Sequence, residues 1–332
     1  MEPVVVVGAG IAGVACAQVL SEAGLPVRVV DRGRRIGGRL ASKRLGGRPV
    51  DLGAAYLTVS EPAFQDVVDD WRRRDLVAPW TDVFTALTAG QPATSKRGPV
   101  RWGAPLGLRV LVEDLAAQFT VEQVAVEVVD VGRNGRLFVD GTGASAVVLA
   151  MPDAQAVRLL GPGLVGTDLP GRLTRPSAPA IALVAWWASR TWDDVSPDGH
   201  FQAAFVNGDE VIASIADDGR RRGDDAPVLV AHSTPALAAD HLAQPEGAVE
   251  PMVAALRRLL DVGEPLGTHV HRWSLARPTG ERAAPYLLTD DGVGVCGDGW
   301  GATTKVETAW LSGRALGAAL VQRLVGDSKD VP

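Results

Sequence analysis

The sequence predicts an α/β fold, and two stretches at opposite ends of the chain carry the prediction. Near the start, the four valines of residues 4–7 run into a glycine turn at residues 8–13, and apolar residues then recur at helical spacing. Near the end, an apolar run at residues 292–296 leads into a helix expected at about residues 305–325. Short β-branched runs of this kind are typical of strands buried on both faces beneath helices.

The first stretch has the spacing of a dinucleotide-binding strand–turn–helix–strand unit. Gly8 allows the sharp turn, Gly10 lets the backbone approach a pyrophosphate, and Gly13 lets the helix pack close to the strand. The pyrophosphate is expected at the free N–H groups that begin the helix, where the helix dipole favours negative charge. A second apolar strand, residues 27–30, ends at Asp31, eighteen residues after Gly13. That separation suits a carboxylate that accepts a hydrogen bond from a ribose hydroxyl.

Composition and charge narrow the class of protein. The 332 residues are 46% hydrophobic and carry a formal net charge of -6, which argues against nucleic acid or an anionic membrane as the main partner. No apolar run approaches the length that spans a bilayer, and no signal sequence precedes the first strand, so we expect a cytoplasmic protein. Cys16 and Cys296 lie in apolar segments and are expected to be packing residues. No spacing typical of metal ligands is present.

Directly after Asp31 the chain has an arginine-rich loop, residues 32–39, with a glycine pair inside it. The glycines could let the loop fold over a cofactor, and a guanidinium could pair with a pyrophosphate oxygen. The alternative is a solvated basic loop. Further on, a short strand at residues 50–52 runs into Gly53 and Ala54, whose small size suits either the close approach of a flat ligand or tight packing.

The middle of the chain has weaker signals. Residues 88–105 are rich in Gly, Pro, Ser and Thr and are interpreted as a loop, while residues 121–129 and 136–139 are predicted to pair as a hairpin. The arginine run at residues 220–222, flanked by aspartates, is interpreted as a solvated turn. Four later runs are predicted to form an antiparallel sheet, at residues 180–189, 200–206, 211–216 and 228–233.

The Gly297-Asp298 pair at the end of the last strand changes the expected cofactor. A carboxylate at a strand end can bind a ribityl hydroxyl, and the N-terminus of the following helix can stabilise negative charge on the N1 and O2 edge of a reduced flavin. A Gly-Asp pair alone is a common turn. Combined with the dinucleotide-binding pattern at the other end of the chain, it favours FAD over NAD.

At these positions the chain resembles the flavin-containing amine oxidase superfamily and, more narrowly, the renalase-like flavoproteins. The resemblance implies a Rossmann-like, GR2-type FAD-binding domain with an interleaved α+β substrate domain. It places the FAD domain at residues 1–60, 100–155 and 275–326, the substrate domain at 61–99 and 156–274, and a tail at 327–332. The matching stretches are DRGR (31–34) with GGR (37–39), DLGAAYLT (51–58), RWGAP (101–105), HRW (271–273), and CGDGW (296–300) with VETAWLSG (306–313).

The resemblance also indicates which residues contact the cofactor and the substrate. Three aromatic residues, Tyr56, Trp273 and Trp300, are candidates for the wall of the substrate pocket, because their rings stack on flat heterocycles. No catalytic residue is identified. FAD is expected to be bound noncovalently, because neither cysteine lies in a flavinylation motif. The predicted cofactor contacts are Gly8, Gly10, Ile11, Ala12, Gly13, Asp31, Arg32, Gly37, Gly38, Arg39, Gly53, Ala54, Val126, Gly297, Asp298 and Val306.

The activity implied by the resemblance is hydride transfer from a small, dihydronicotinamide-like substrate to flavin N5, followed by reoxidation by molecular oxygen. One alternative is an amine oxidase or desaturase. Classical members often place a lysine near flavin N5, whereas this chain has no lysine between residues 97 and 304. The chain departs from the renalase pattern at Leu52, at Ser274-Leu275 and near residues 220–223. A second alternative is a flavin-binding protein without turnover. The oligomeric state is left open.

Overall fold

The computed structural model describes residues 1–326, so the predicted tail at 327–332 lies outside the described residues. In chain order the strands are β1 (Val4–Val7), β2 (Val27–Asp31), β3 (Ser42–Leu45), β4 (Arg48–Asp51), β5 (Ala78–Thr88), β6 (Thr94–Gly103), β7 (Val121–Gln123), β8 (Val129–Val131), β9 (Leu137–Val139), β10 (Thr142–Ala144), β11 (Ala146–Leu149), β12 (Ser177–Trp186), β13 (Ala203–Asn207), β14 (Ile212–Asp217), β15 (Val228–Ser233), β16 (Gly267–Pro278), β17 (Leu287–Leu288) and β18 (Val293–Val295). The helices are α1 (Ile11–Glu22), α2 (Pro62–Arg73), α3 (Arg109–Leu115), α4 (Asp153–Ala156), α5 (Pro162–Val165), α6 (Leu169–Arg172), α7 (Asp218–Arg222), α8 (Pro235–Asp240), α9 (Val249–Leu260) and α10 (Val306–Gly326).

The chain forms two compact units, and each is assembled from separate stretches of sequence. The first unit contains residues 1–40, 111–177 and 277 onward, and the second contains residues 41–110 and 178–276. Relative to the predicted domain boundaries, residues 41–60, 100–110 and 275–276 belong to the second unit, and 156–177 to the first. The division of the chain into a cofactor domain and a substrate domain stays a prediction.

The first unit is built on a six-stranded sheet with the strand order β17-β18-β11-β1-β2-β7. Strand β1 pairs in parallel with β2 on one side and β11 on the other, and all four of its valines are buried. The sequence predicted this strand because an apolar run without polar alternation suits a parallel sheet covered on both faces. The predicted α/β class is confirmed.

Helices α1 and α10 of the first unit pack together through small residues. A Cβ atom built on Gly313 would lie 2.0 Å from the carbonyl oxygen of Ala12, and one built on Gly317 would lie 2.9 Å from the Cβ of Val19. Glycine at both positions lets the two backbones approach closely. The N-terminal helix and the C-terminal helix are therefore held side by side.

The predicted hairpin over residues 121–139 is only partly correct. Strand β7 pairs in parallel with β2, so the run from residue 121 to 129 is interrupted instead of forming one strand. Strands β8 and β9 do form an antiparallel pair, in a three-stranded sheet with β10. Gly135, in the turn between β8 and β9, has φ of +75°, a conformation that glycine adopts readily.

The second unit is built on a seven-stranded sheet with the order β16-β12-β15-β14-β13-β5-β6. One face packs on helix α9 through buried apolar residues that include Leu183, Leu229 and Ile215. The opposite face carries a second apolar set around Val184 and Val230, and a third around Phe84. A two-stranded sheet of β3 and β4 belongs to the same unit.

Two sequence interpretations in this unit are wrong. Residues 94–103, interpreted as loop, form the edge strand β6, whose polar, proline-containing sequence is tolerated where one side of a strand faces solvent. Residues 220–222, interpreted as a solvated turn, end helix α7, and Arg221 and Arg222 are buried. Both arginines pair with Asp218, and Arg222 also donates to Asp51 at 2.8 Å. One nearby carboxylate, Asp218, and one distant carboxylate, Asp51, therefore make the burial of these charges possible.

Cys16 and Cys296 are both fully buried free thiols, as predicted. Burial raises the pKa of the Cys296 thiol to about 12. Among residues 1–326, none of the helices combines the length and apolar composition needed to cross a bilayer.

Candidate functional site

The glycine turn between β1 and α1 has the shape of a phosphate cradle. Gly8 has φ of +110°, and a Cβ atom there would lie 2.7 Å from the carbonyl oxygen of Ala150. A Cβ atom on Gly13 would lie 2.0 Å from the carbonyl oxygen of Gly8, whereas one on Gly10 would meet nothing within 4 Å. Gly8 and Gly13 are thus needed for packing, and the space beside Gly10 is open.

The start of α1 offers hydrogen-bond donors to this open space. Gly10 is the N-cap residue, no side chain caps the helix, and the first turn contains no acidic residue. The first N–H groups of a helix have no partner within it, and they carry the positive end of its dipole. Ile11, Ala12 and Gly13 therefore present the backbone donors that the sequence predicted for a pyrophosphate.

Asp31 lies directly beside the glycine turn. Its Oδ2 atom accepts a hydrogen bond from the Ala9 N–H at 2.7 Å, and its Oδ1 atom accepts one from the Gly33 N–H at 2.7 Å. A carboxylate has about four acceptor positions, so capacity for a ribose hydroxyl is left. Asp31 thus has a second task that the sequence did not indicate, which is to hold the turn itself.

The arginine-rich loop folds back onto the turn. The Gly37 N–H donates to the carbonyl oxygen of Ala9 at 2.9 Å, and a Cβ atom on Gly38 would lie 3.5 Å from Gly10 Cα. Both glycines have positive φ, +115° and +53°. Arg32 is exposed. Of the two interpretations, a loop folded over the cradle fits these contacts better than a wholly solvated loop does.

The two ends of the chain meet in a bidentate ion pair. Arg39 donates through Nη1 and Nη2 to the two carboxylate oxygens of Asp298, at 2.8 and 2.5 Å, and both side chains are partly buried. The sequence assigned both residues to the cofactor but did not pair them with each other. Gly297, next to Asp298, has φ of +148°, and a Cβ atom there would meet nothing within 4 Å. A second open space therefore lies at this strand end.

A group of buried and partly buried polar residues, missed from the sequence, holds the chain just after Asp298. Arg175 donates to the carbonyl oxygens of Gly299 at 2.6 Å and Gly280 at 2.7 Å. Arg282 donates to Asp153 at 2.7 Å, and its guanidinium carbon lies 3.9 Å from the centre of the Trp300 ring. No short motif contains these residues, so no local signal in the sequence could have indicated them.

Trp300 itself is 5% exposed, and within the described residues its indole N–H has no hydrogen-bond partner. A buried donor of this kind costs free energy unless a further group accepts from it. Val306, the remaining predicted contact in the last segment, is the first residue of α10. Val126 lies between β7 and β8 and packs against the core of the first unit.

Together these features of the first unit fit FAD. A dinucleotide has polar groups along its length, and the first unit offers several groups that suit them. These are open space at Gly10 and Gly297, free backbone donors at α1, an acidic side chain at the end of β2 and an indole N–H without a partner among the described residues. The described residues contain no cluster of His, Cys, Asp or Glu that could hold a metal ion.

The other predicted residues lie in the second unit. Trp273 donates through its indole N–H to the carbonyl oxygen of Leu52 at 2.8 Å, directly before Gly53 and Ala54. The same oxygen lies 3.1 Å from Nε2 of His232, a residue that the sequence analysis did not single out. Burial and the nearby Arg221 lower the pKa of His232, so the neutral ring donates to Leu52. The turn at Gly53 is thus fixed from two sides.

Tyr56 belongs to an aromatic cluster in the second unit. Its ring centre lies 5.4 Å from that of Phe84 and 6.3 Å from that of Trp80, and Phe84 packs edge-on against Trp80 at 5.3 Å. The guanidinium of Arg101 lies 3.8 Å from the centre of the Phe84 ring. The predicted pocket residues thus fall in both units: Trp300 in the first, Tyr56 and Trp273 in the second.

Comparison with solved structures identifies the fold. The chain superposes on cyclohexylamine oxidase from Brevibacterium oxydans IH-35A with a TM-score of 0.76 at 15% identity, covering 98% of this chain and 99% of that one. It superposes on putrescine oxidase bound to putrescine with a TM-score of 0.71 at 15% identity and the same coverage. Identities this low establish the fold alone.

Local sequence similarity links the chain to curated oxidases. It is 44% identical over 54 residues to Polyamine oxidase 4 of Oryza sativa subsp. japonica, and 40% identical over 72 residues to Protoporphyrinogen oxidase 2, chloroplastic/mitochondrial, of Arabidopsis thaliana. These matches span only 11% and 14% of the length of those relatives, and 16% and 22% of this chain.

Family models match two long segments. Residues 6–71 match the NAD(P)-binding Rossmann-like domain, and residues 91–320 match the flavin containing amine oxidoreductases. The second match covers more than half of the chain and confirms FAD as the predicted cofactor. The narrower renalase-like assignment stays a prediction. A glycine cradle, an acidic strand end and a match of this length lead to one conclusion: the chain belongs to the flavin-containing amine oxidoreductase family.

Proposed function

We propose that this protein is an FAD-dependent oxidoreductase that oxidises a small molecule and uses oxygen as its electron acceptor. The observation that carries the proposal is the joining of the two cofactor-binding ends of the chain by Arg39 and Asp298. When bound, FAD would supply the redox chemistry, as a hydride acceptor that oxygen can reoxidise. The protein supplies binding and orientation.

Each group of residues has a separate part in that binding. The backbone donors at the start of α1 hold the diphosphate, and Asp31 holds the ribose while it fixes the turn through Ala9 and Gly33. Asp298, oriented by Arg39, accepts from a hydroxyl of the ribityl chain. The indole N–H of Trp300 is available to an acceptor on the ligand.

For the substrate, we propose a dihydronicotinamide-like molecule of the renalase type. Loss of a hydride restores the aromaticity of such a ring, so the reaction needs stacking and orientation more than a strong base. The aromatic candidates Tyr56, Trp273 and Trp300 suit that requirement. The absence of lysine between residues 97 and 304 also agrees with it, because the lysine of classical amine oxidases has no counterpart there.

An amine substrate is the second candidate. The family match over residues 91–320 supports it, as does the fold shared with putrescine oxidase and cyclohexylamine oxidase. The two candidates differ in the charge of the substrate, which an experiment can separate.

Anaerobic reduction of the purified protein tests the proposal. Isomerised NADH is added under argon, and bleaching of the flavin absorbance is followed by stopped flow; putrescine, cyclohexylamine and NADH are tested in parallel. We expect rapid bleaching by isomerised NADH and hydrogen peroxide after oxygen is admitted. Bleaching only by the amines would favour the second candidate. If the protein holds flavin tightly but no donor reduces it, the result would indicate a flavin-binding protein without turnover. If the protein never acquires flavin, the result would contradict both candidates.

A further inference from the structure

Arg101 is a buried arginine whose charge has no counter-ion in the described part of the chain. It lies on β6, is 6% exposed, and its Nε atom has no hydrogen-bond partner there. Its one side-chain hydrogen bond is at the limiting distance of 3.5 Å, to the carbonyl oxygen of Pro99. A guanidinium removed from water without a counter-ion is strongly disfavoured.

The other buried arginines of the second unit show how the chain normally satisfies such a charge. Arg222 pairs with Asp51 and Asp218, Arg221 pairs with Asp218, and Arg109 donates twice to the carbonyl oxygen of Ser42. Arg101 has no comparable set of partners. An acceptor from outside the chain would complete it.

The surroundings of Arg101 are aromatic, and no carboxylate among residues 1–326 forms an ion pair with it. Phe84 lies under the guanidinium at 3.8 Å, and the Tyr56 ring centre lies 5.6 Å from it. The neighbouring acid on β5, Asp82, is engaged by Arg97, which lies on the exposed part of β6. The cluster is not sealed, because Tyr56 and Trp80 are both partly exposed. An arginine above aromatic rings recognises planar anions well, because its donors form a rigid fork.

We infer that Arg101 binds the anionic group of the substrate, a carboxylate or a phosphate carried by a planar molecule whose ring packs among Tyr56, Trp80 and Phe84. This inference rests on the proposed function and narrows it to an anionic substrate. A guanidinium in this place attracts an anion and repels an ammonium group, so simple cationic amines are selected against.

Calorimetry on the FAD-loaded protein tests this without relying on turnover. Benzoate and phenyl phosphate are the two anionic probes, benzamide is the neutral analogue, and benzylamine is the cationic one. We expect at least one anion to bind about tenfold or more tightly than benzamide, as a charge-assisted pair requires, and benzylamine to bind most weakly. The anion that binds better identifies the group as carboxylate or phosphate. Equal binding of benzoate, phenyl phosphate and benzamide, or preference for benzylamine, would overturn the inference.

Variants assign the effect to Arg101. Arg101→Met removes the charge, Arg101→Lys keeps the charge without the fork, and Arg97→Met is the matched control from the exposed part of the same strand. We expect the preference for the anion to be lost in Arg101→Met, reduced in Arg101→Lys and unchanged in Arg97→Met. The comparison of probes on the unmodified protein remains decisive if Arg101→Met does not fold.

Flavin absorbance separates this inference from the proposed function. If Arg101→Met and Arg101→Lys both lose FAD while Arg97→Met retains it, Arg101 serves the cofactor. That result would overturn the inference. The unmodified protein could instead hold FAD and be reduced by isomerised NADH, yet bind anionic and neutral probes equally well. That result would overturn the inference and leave the proposed function standing.

Discussion

At the scale of single residues, Asp31 has two roles: it stabilises the glycine turn and, as proposed, it binds the ribose of FAD. Replacement by alanine removes the acceptors of the Ala9 and Gly33 N–H groups as well as the acceptor for the ribose. Hydrogen bonds to a charged group contribute about 1.5–3 kcal/mol each, so the Kd for FAD in Asp31→Ala should rise at least tenfold. Titration of the apoprotein with FAD, followed by flavin fluorescence, measures it. Glu22→Ala, at the exposed end of α1, is the control, and equal affinity in the two variants would contradict the ribose assignment.

At the same scale, the burial of His232 predicts how the stability of the protein depends on pH. Burial, reinforced by Arg221, lowers its pKa in the folded protein below the usual value of 6.5. The unfolded chain therefore binds more protons near that pH, so the stability contributed by the neutral ring is present above about pH 6.5 and lost as the pH falls. Urea unfolding at pH 8 and pH 5.5 should show a smaller loss of stability in His232→Gln than in the unmodified protein. An identical loss in both proteins would mean that His232 does not carry the effect.

At the scale of elements, the contact between α1 and α10 connects stability to the cofactor cradle. Gly313→Ala places a methyl group against the carbonyl oxygen of Ala12, in the first turn of α1. Overpacking of this kind costs about 1–3 kcal/mol and displaces the backbone that donates to the diphosphate. We expect a lower melting temperature and weaker FAD binding together. Gly171→Ala, where the added methyl group meets nothing within 4 Å, should lower neither.

Elements with a strong local pattern could be predicted from the sequence, whereas those that depend on a distant partner could not. The valines of β1 and the glycine turn after it identify themselves by composition and spacing alone. Strand β6 has a polar sequence, and only its pairing with β5 makes it a strand. Arg222 looks solvated until Asp51, 171 residues earlier in the chain, is found beside it. Arg39 and Asp298 were each assigned to the cofactor, but their pairing across 259 residues has no local signal.

At the scale of the whole molecule, stability should depend on FAD. The residues assigned to the cofactor come from both ends of the chain, and Arg39 and Asp298 already join those ends through one ion pair. A ligand that binds only the folded state stabilises it by mass action, by about 2.7 kcal/mol when its concentration is a hundred times the Kd. Apoprotein prepared by acid treatment should therefore melt at a lower temperature than the FAD-loaded protein and recover when FAD is added. The increase should be smaller with Arg39→Met, which leaves Asp298 without its partner, than with Arg97→Met. If FAD leaves the melting temperature unchanged, the cofactor does not bind the folded protein at the assigned residues. That result would contradict the assigned site.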